Sequence, residues 1–140
     1  MAENKVILEL VSPERVLASE EVDMVTLPGA EGEFGVLPEH APLVALLNPG
    51  IITTFEGTTP KKRIFVAGGF AEVNERGCIV LAEAAEPLEE IDRASAERAL
   101  ADARDDLADT KDAGETERQR LETAVKVAET RLEVLDNPSH

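Results

Sequence analysis

The sequence predicts an α+β chain in two segments: an N-terminal antiparallel β-sandwich over residues 1–86 and a C-terminal antiparallel two-helix hairpin over residues 87–140. Three observations carry that prediction. Eight of the nine glycines, six of the eight prolines and all four phenylalanines fall in residues 1–86. Residues 87–140 hold nine alanines and 23 charged side chains, a composition that favours helix. The first segment also shows apolar runs broken by turn residues about every eight to twelve positions, with no helical period between them.

The strands follow from local alternation. Val6, Leu8 and Leu10 alternate with Ile7, Glu9 and Val11 ahead of Ser12-Pro13. Val22, Met24 and Thr26 alternate with Asp23, Val25 and Leu27 ahead of Pro28-Gly29. Further strands are predicted at 34–37, 43–47, 51–55, 63–67, 70–73 and 78–82. The chain has no Trp and no Tyr, so the core between these strands is aliphatic. A domain of this length is small but sufficient for a sandwich.

The second segment has a helical period. Asp92 is placed to accept from the free amides of a helix start. Ala96, Leu100, Ala103 and Leu107 then recur on one face. Residues 110–114 form a break, after which Leu121, Ala124 or Val125, Ala128, Leu132 and Leu135 rebuild a seam, and Asn137-Pro138 ends the second helix. Each helix is expected to be roughly 25 to 30 Å long. A seam of alanine with occasional leucine buries little area, at about 25 cal/mol per Å², so the hairpin is expected to be weakly held and able to change partners.

Charge and composition exclude several functions. Asp and Glu number 29 against 14 Lys and Arg, a net charge of -15, which repels a phosphate backbone and excludes nucleic acid as a partner. The acidity divides as -8 and -7 between the two segments and marks no acidic tail. Cys78 is the only cysteine, which leaves no disulfide framework and no cysteine zinc cluster; its apolar neighbours assign it to the core. The start of the chain has no basic region leading into an apolar stretch, so no secretory signal is expected. The most apolar window, 44–55, is interrupted by Asn48, Pro49, Gly50 and Thr53, so no insertion into lipid is expected.

Catalytic and metal sites are not expected either. His40 stands near Glu31, Glu33 and Glu39 in sequence, an arrangement open to acid-base work. Only His40 and His140 exist, however, no serine occupies a Gly-x-Ser-x-Gly context, and no second ligand lies at metal spacing. Gly29, Gly32 and Gly35 precede a strand, and no Lys-Ser or Lys-Thr follows them, so they do not form a phosphate cradle. With Pro28, Pro38 and Pro42 they predict a shaped, rigid loop.

Residues 27–43, running Leu27-Pro28-Gly29-Ala30-Glu31-Gly32-Glu33-Phe34-Gly35-Val36-Leu37-Pro38-Glu39-His40-Ala41-Pro42-Leu43, resemble the epsilon subunit of rotary F-type ATP synthases. Val66-Ala67-Gly68-Gly69-Phe70-Ala71-Glu72-Val73 is similar to the Gly-Gly strand segment of that family, and the resemblance extends through the final helix pair. It implies a non-catalytic central-stalk subunit that couples ion-driven rotation of the membrane c-ring to ATP synthesis. The implied partners are the gamma subunit, the c-ring, and the alpha and beta subunits of the catalytic head. The implied location is the cytoplasmic face of the bacterial inner membrane, reached by docking on protein. Glu31, Gly32, Glu33 and His40 become the expected c-ring contacts, and an exposed aliphatic patch is expected where gamma docks.

The family resemblance also implies a hairpin that either folds on the sandwich or extends to obstruct hydrolysis, and that in some members binds ATP when folded. Ile91, Asp92 and Ala96 match the nucleotide pattern Ile-Asp-x-x-Arg-Ala, but Ser95 stands at its arginine, and Arg93 lies about 200° away around a helix. On the second helix Arg131 is kept, while Val127 replaces the other arginine. No cofactor is therefore expected, and Asp92 and Arg131 are expected to bind ATP weakly or not at all. Obstruction calls for a basic helix to meet an acidic segment of the beta subunits. Residues 115–135 carry five acidic and four basic side chains, and residues 91–109 six and three. Arg118 and Arg120 form a local cluster on the second helix, which implies at most weak regulation. The rival reading is a free-standing β-sandwich binding module with a helical tail, followed by a small hydrolase.

Overall fold

The computed structural model describes residues 5–137. Among them the chain forms β1 (Val6–Val11), β2 (Val16–Val22), β3 (Met24–Gly29), β4 (Gly32–Val36), β5 (Leu43–Leu47), β6 (Gly50–Glu56), β7 (Thr59–Val66), β8 (Gly69–Val73), β9 (Gly77–Ala82) and β10 (Ala85–Pro87). A single turn of 3-10 helix, Leu88–Glu90, leads into α1 (Arg93–Asp109) and α2 (Glu115–Asp136). The strands follow one hydrogen-bonded path, β10-β7-β6-β3-β5-β8-β9-β1-β2, with β4 added to β3. One residue pair, Gly29 with Leu47, joins β3 to β5, and the path folds over there, so that β1 packs across β3 and β2 across β6. All pairs are antiparallel except β1 with β9.

Aliphatic side chains fill the space between the layers. Val6, Leu8 and Leu10 of β1 are fully buried, as are Val25, Leu27, Ile52, Val66 and Val80 from facing strands. Cys78 lies in this core, and burial pushes its thiol up to about 12. The buried parts of β6 (Gly50–Thr54) and β7 (Ile64–Val66) are covered on both faces. Ile52 and Ile64 point into the sandwich, whereas Ile51 and Phe65 point out of it and pack with Ile91, Ala96 and Val134 of the helical segment. The hairpin therefore lies against the outer face of these two strands.

The structure departs from the sequence expectations at several places. Residues 16–22 form a strand that Ser19, Glu20 and Glu21 conceal by breaking the alternation. The strand expected over 22–27 is divided at Asp23, whose carboxylate accepts from Lys5 Nζ and from the Gly57 amide, drawing the start of β1 and the β6–β7 turn onto the bend. β7 begins at Thr59, before its apolar run, because Thr59 and Pro60 pair with Glu56 and Phe55 across a register shift. The short β10 is held by three pairings to β7.

The hairpin forms at the expected break. Asp92 caps α1 by accepting from the Ser95 amide at 2.9 Å, which holds its carboxyl below the usual range. Gly114 precedes α2 and Asn137 closes it; Pro138 and His140 lie outside the described residues. α1 has 17 residues and α2 has 22, so α2 is about 33 Å long, beyond the expected range, because nothing breaks it before Asn137. Ala96, Leu100 and Ala128 are buried in the seam, whereas Ala103, Leu107, Leu121 and Leu132 are only half-buried. Val134, outside the expected seam, is buried because α2 presents a second face to the sandwich.

Two predictions follow from these contacts. Gly69 has φ +137°, and a β-carbon there would stand 2.2 Å from the Leu81 carbonyl oxygen. Gly69→Ala is expected to lower stability by about 3 kcal/mol or more, from strain plus overpacking, whereas Gly32→Ala, at φ +129° in open space, costs about 1–2 kcal/mol. Urea unfolding that ranked the two the other way would refute the close approach. The second concerns pH. The Lys5 hydrogen bond first, then the Gly57 amide, holds the Asp23 carboxyl below its ordinary value, and the same partner raises Lys5. The Asp23 contribution is present above the unfolded carboxyl pKa and lost as pH falls through the folded one. The Lys5 contribution is present below its unfolded pKa and lost as pH rises through the folded one. Asp23→Asn is thus expected to lose less stability than wild type between pH 7 and pH 3, and equal losses would contradict the linkage.

Candidate functional site

The glycine-rich segment forms the β3–β4 hairpin. Gly29 pairs with Gly32, leaving Ala30 and Glu31 as a two-residue connection. The tip is fixed from the side, because the Ala30 amide donates to the Leu46 carbonyl at 2.9 Å and the Asn48 amide to the Pro28 carbonyl at 2.8 Å. Glu31, Gly32 and Glu33 are exposed together at this tip. Between it and β5 lies a cleft of about 520 Å³ lined by both carboxylates, Phe34, Val44 and Leu46. Such a cleft suits a protruding loop that carries a cation flanked by apolar groups.

His40 does not line that cleft. It sits half-buried in the β4–β5 connection after Glu39, which takes φ +64°, and its Nδ1 donates to the Ala41 carbonyl at 2.7 Å. That bond fixes the ring to its own backbone rather than to a carboxylate. Among the described residues no three His, Cys, Asp or Glu side chains gather as a metal site, and no helix is long and apolar enough to cross a membrane.

A second surface lies on the outer face of the β5-β8-β9-β1-β2 layer. Leu46 is paired with Phe70, Phe70 with Leu81, Leu81 with Val11 and Val11 with Val16, so apolar side chains form one row across five strands. Leu46 is 70% exposed, Val16 62%, Leu81 43% and Phe70 42%. Val44 and Ile79 extend the row on the side where Glu72 and Glu9 intervene. Single exposed leucines are ordinary, but an aligned row of this length marks a docking surface. Sequence reasoning expected an aliphatic patch without locating it. The available signal was the presence of apolar residues at both strand parities in β1, β5 and β9.

The hairpin holds the remaining candidates. Arg131 Nε donates to Glu86 Oε2 at 2.7 Å and its Nη2 to Glu86 Oε1 at 3.2 Å, a two-point pair from α2 to β10. Val127 packs in the apolar cluster between hairpin and sandwich. Asp92 is engaged as a helix cap and Arg131 as an ion-pair partner, so the structure brings the two near one region with both groups already occupied. Arg118 and Arg120 are exposed near the start of α2, far along the helix from Arg131, and Arg120 stands 3.8 Å from Glu117.

Comparison with known proteins gives these surfaces a context. Residues 5–88 match the family described as ATP synthase, Delta/Epsilon chain, beta-sandwich domain. The chain is 44% identical over 137 residues to the ATP synthase epsilon chain of Rhodospirillum centenum, covering 94% of this chain and 92% of that one. It is 45% identical to the epsilon chain of Rhodospirillum rubrum, covering 89% and 91%. A chain in the cryo-EM structure of the Euglena gracilis mitochondrial ATP synthase, OSCP/F1/c-ring in rotational state 1, superposes with a TM-score of 0.74 at 32% identity, over 98% of this chain and 82% of that one. One from the Tetrahymena thermophila central stalk and c-ring structure gives 0.64 at 13% identity, a likeness of fold alone. With its sandwich matched by the family and nearly its whole length matched by bacterial relatives, the chain belongs to the ATP synthase epsilon chain family.

Proposed function

We infer that this chain is a non-catalytic subunit of the ATP synthase central stalk that passes c-ring rotation to the gamma subunit and so to the catalytic head. The exposed apolar row across β5, β8, β9, β1 and β2 is the observation that carries this reading, because a rotor part needs a broad, directional surface of permanent contact rather than a ligand pocket. The row is assigned to gamma. The acidic tip at Glu31, Gly32 and Glu33 is assigned to the c-ring loops, with His40 on the adjoining connection.

The mechanism is mechanical. Leu46 belongs both to the row and to the cleft beside the tip, and its carbonyl accepts from Ala30 at the tip itself. Load applied to the tip thus enters β5 through the backbone and spreads through the β5–β8 and β8–β9 ladders under the row. No hinge or long loop interrupts that path. Residues 1–86 act as the rigid docking domain, and residues 87–140 as an arm that gives at most weak regulation through Arg118 and Arg120. The location on the cytoplasmic face of a bacterial inner membrane follows from the complex, by docking on protein.

Two outcomes are expected. Phe70→Glu and Leu81→Glu change half-exposed side chains, so each is expected to leave the unfolding midpoint nearly unchanged while cutting co-purification with the ATP synthase about tenfold or more. Full incorporation of both variants would remove gamma from this face. For the hairpin, the Glu86 partner of Arg131 and the loss of arginine at Ser95 and Val127 predict weak or no ATP binding. Calorimetry that returned a low-micromolar dissociation constant would contradict it.

A further inference from the structure

The arm reading leaves open what holds the hairpin down, and the structure carries an answer. Among the described residues, the ion pairs Arg93–Asp136 and Arg104–Glu129 join α1 to α2, and Arg120–Glu117 lies within α2. One pair alone crosses from the hairpin to the strands, Arg131 with Glu86. Its side chains are only 21% and 32% exposed, against 44–70% for the two pairs between the helices. Two N–H bonds, at 2.7 and 3.2 Å, join the guanidinium to both oxygens of the carboxylate.

The helix face around Arg131 is built for this contact. Val127 and Val134 lie one turn before it and one turn after it, and both pack in the cluster formed with Ile51, Phe65 and Ile91. The apolar part of the docking is small, because the rest of the hairpin seam is alanine-rich and half-exposed. Arg131 also lies close enough to Asp92 to help depress its carboxyl, although the Ser95 bonds dominate that shift. Arg98 acts on Asp92 as well, while Arg131 already directs two of its donors to Glu86.

We propose that the Glu86–Arg131 pair is a clasp that sets the balance between docked and undocked hairpin, so that release of the arm is governed by charge within the chain and not by a bound nucleotide. The proposal rests on the reading of residues 87–140 as a regulatory arm. Removing either partner leaves a half-buried charge uncompensated as well as losing the bonds, so each single change favours release. Salt screens the pair and leaves the valine contacts intact.

The test places donor and acceptor dyes on the full chain at Thr58→Cys in the β6–β7 turn and Gln119→Cys on α2, both exposed; Cys78 is buried and stays unlabelled. Glu86→Gln and Arg131→Gln are each expected to raise the undocked-to-docked ratio about tenfold. The charge-swapped Glu86→Lys/Arg131→Glu chain is expected to lower the ratio about threefold or more relative to Arg131→Glu alone, with Asp92 beside residue 131 opposing full recovery. High salt should raise the ratio in the starting chain and leave the Gln variants unchanged, and millimolar ATP should shift none of them. An unchanged ratio in the Gln variants, a swap no better docked than Arg131→Glu alone, or an ATP-dependent shift would each overturn the clasp. Hydrolysis by the ATP synthase reassembled with Glu86→Gln separates the two claims. If docking responds and hydrolysis does not, the clasp stands and the regulatory-arm reading fails.

Discussion

Each layer of the sandwich must bury one aliphatic face, and with neither Trp nor Tyr to fill gaps, that requirement sets the side-chain parity of the strands that have one open face. Val6, Leu8 and Leu10 point inward only in the register that pairs them with Cys78 and Val80 through β9 and with Val22 and Ala18 through β2. A slip of one residue would exchange the faces and bring Glu9 into the core. The outward row inherits its order from the same register. Leu46, Phe70, Leu81 and Val11 align because the neighbouring set Ala45, Ala71, Val80 and Leu10 pairs in the same register with the opposite parity. Core and docking surface are therefore two consequences of one pairing scheme, and a change that loosens the first blurs the second.

β6 and β7 obey a different rule because the chain supplies them with a third layer. Ile51 and Phe65 would face water if the hairpin were absent, and the hairpin covers them with Ile91, Ala96 and Val134. The cover is modest. α1 and α2 each bury only two side chains fully, and three of those four are Ala96, Ala128 and Val134. A layer with so little apolar area depends on its polar contacts for position, whereas the sandwich under it does not. The chain thus joins a sandwich positioned by its own core to a helical layer positioned by a small apolar cluster and one ion pair to the strands.

Local chemistry made the order of elements legible. Glycine and proline mark the β segment, alanine and charge mark the helices, and Asp92 and the 110–114 break stand where the caps are. The tight connection near Glu31-Gly32-Glu33 was partly legible: a rigid segment was expected, but its glycines lie within β3 and β4 and the connection is only Ala30 and Glu31. Residues 16–22 were not, because a strand on the sandwich edge can carry Ser19, Glu20 and Glu21 without a strict alternation. Nor was the exposed row: when both parities are apolar, as in Val6-Ile7-Leu8 and Leu43-Val44-Ala45-Leu46-Leu47, alternation alone does not say which side faces in. The Glu86–Arg131 pair joins residues 45 positions apart, and neither end has a local pattern that names the other.

The distribution of charge bears on how so apolar a row can stand exposed on the surface of one chain. Glu9 and Glu72 border the row on one side and Glu83 lies beside its shallow groove. Two copies brought row to row would set these carboxylates against each other, on chains that each carry a net charge of -15. A partner with neutral or basic groups around a matching apolar strip meets no such opposition. The same acidity that excludes nucleic acid therefore acts on protein contacts as well: it weakens self-association of the free chain and leaves the row to a partner of complementary rim.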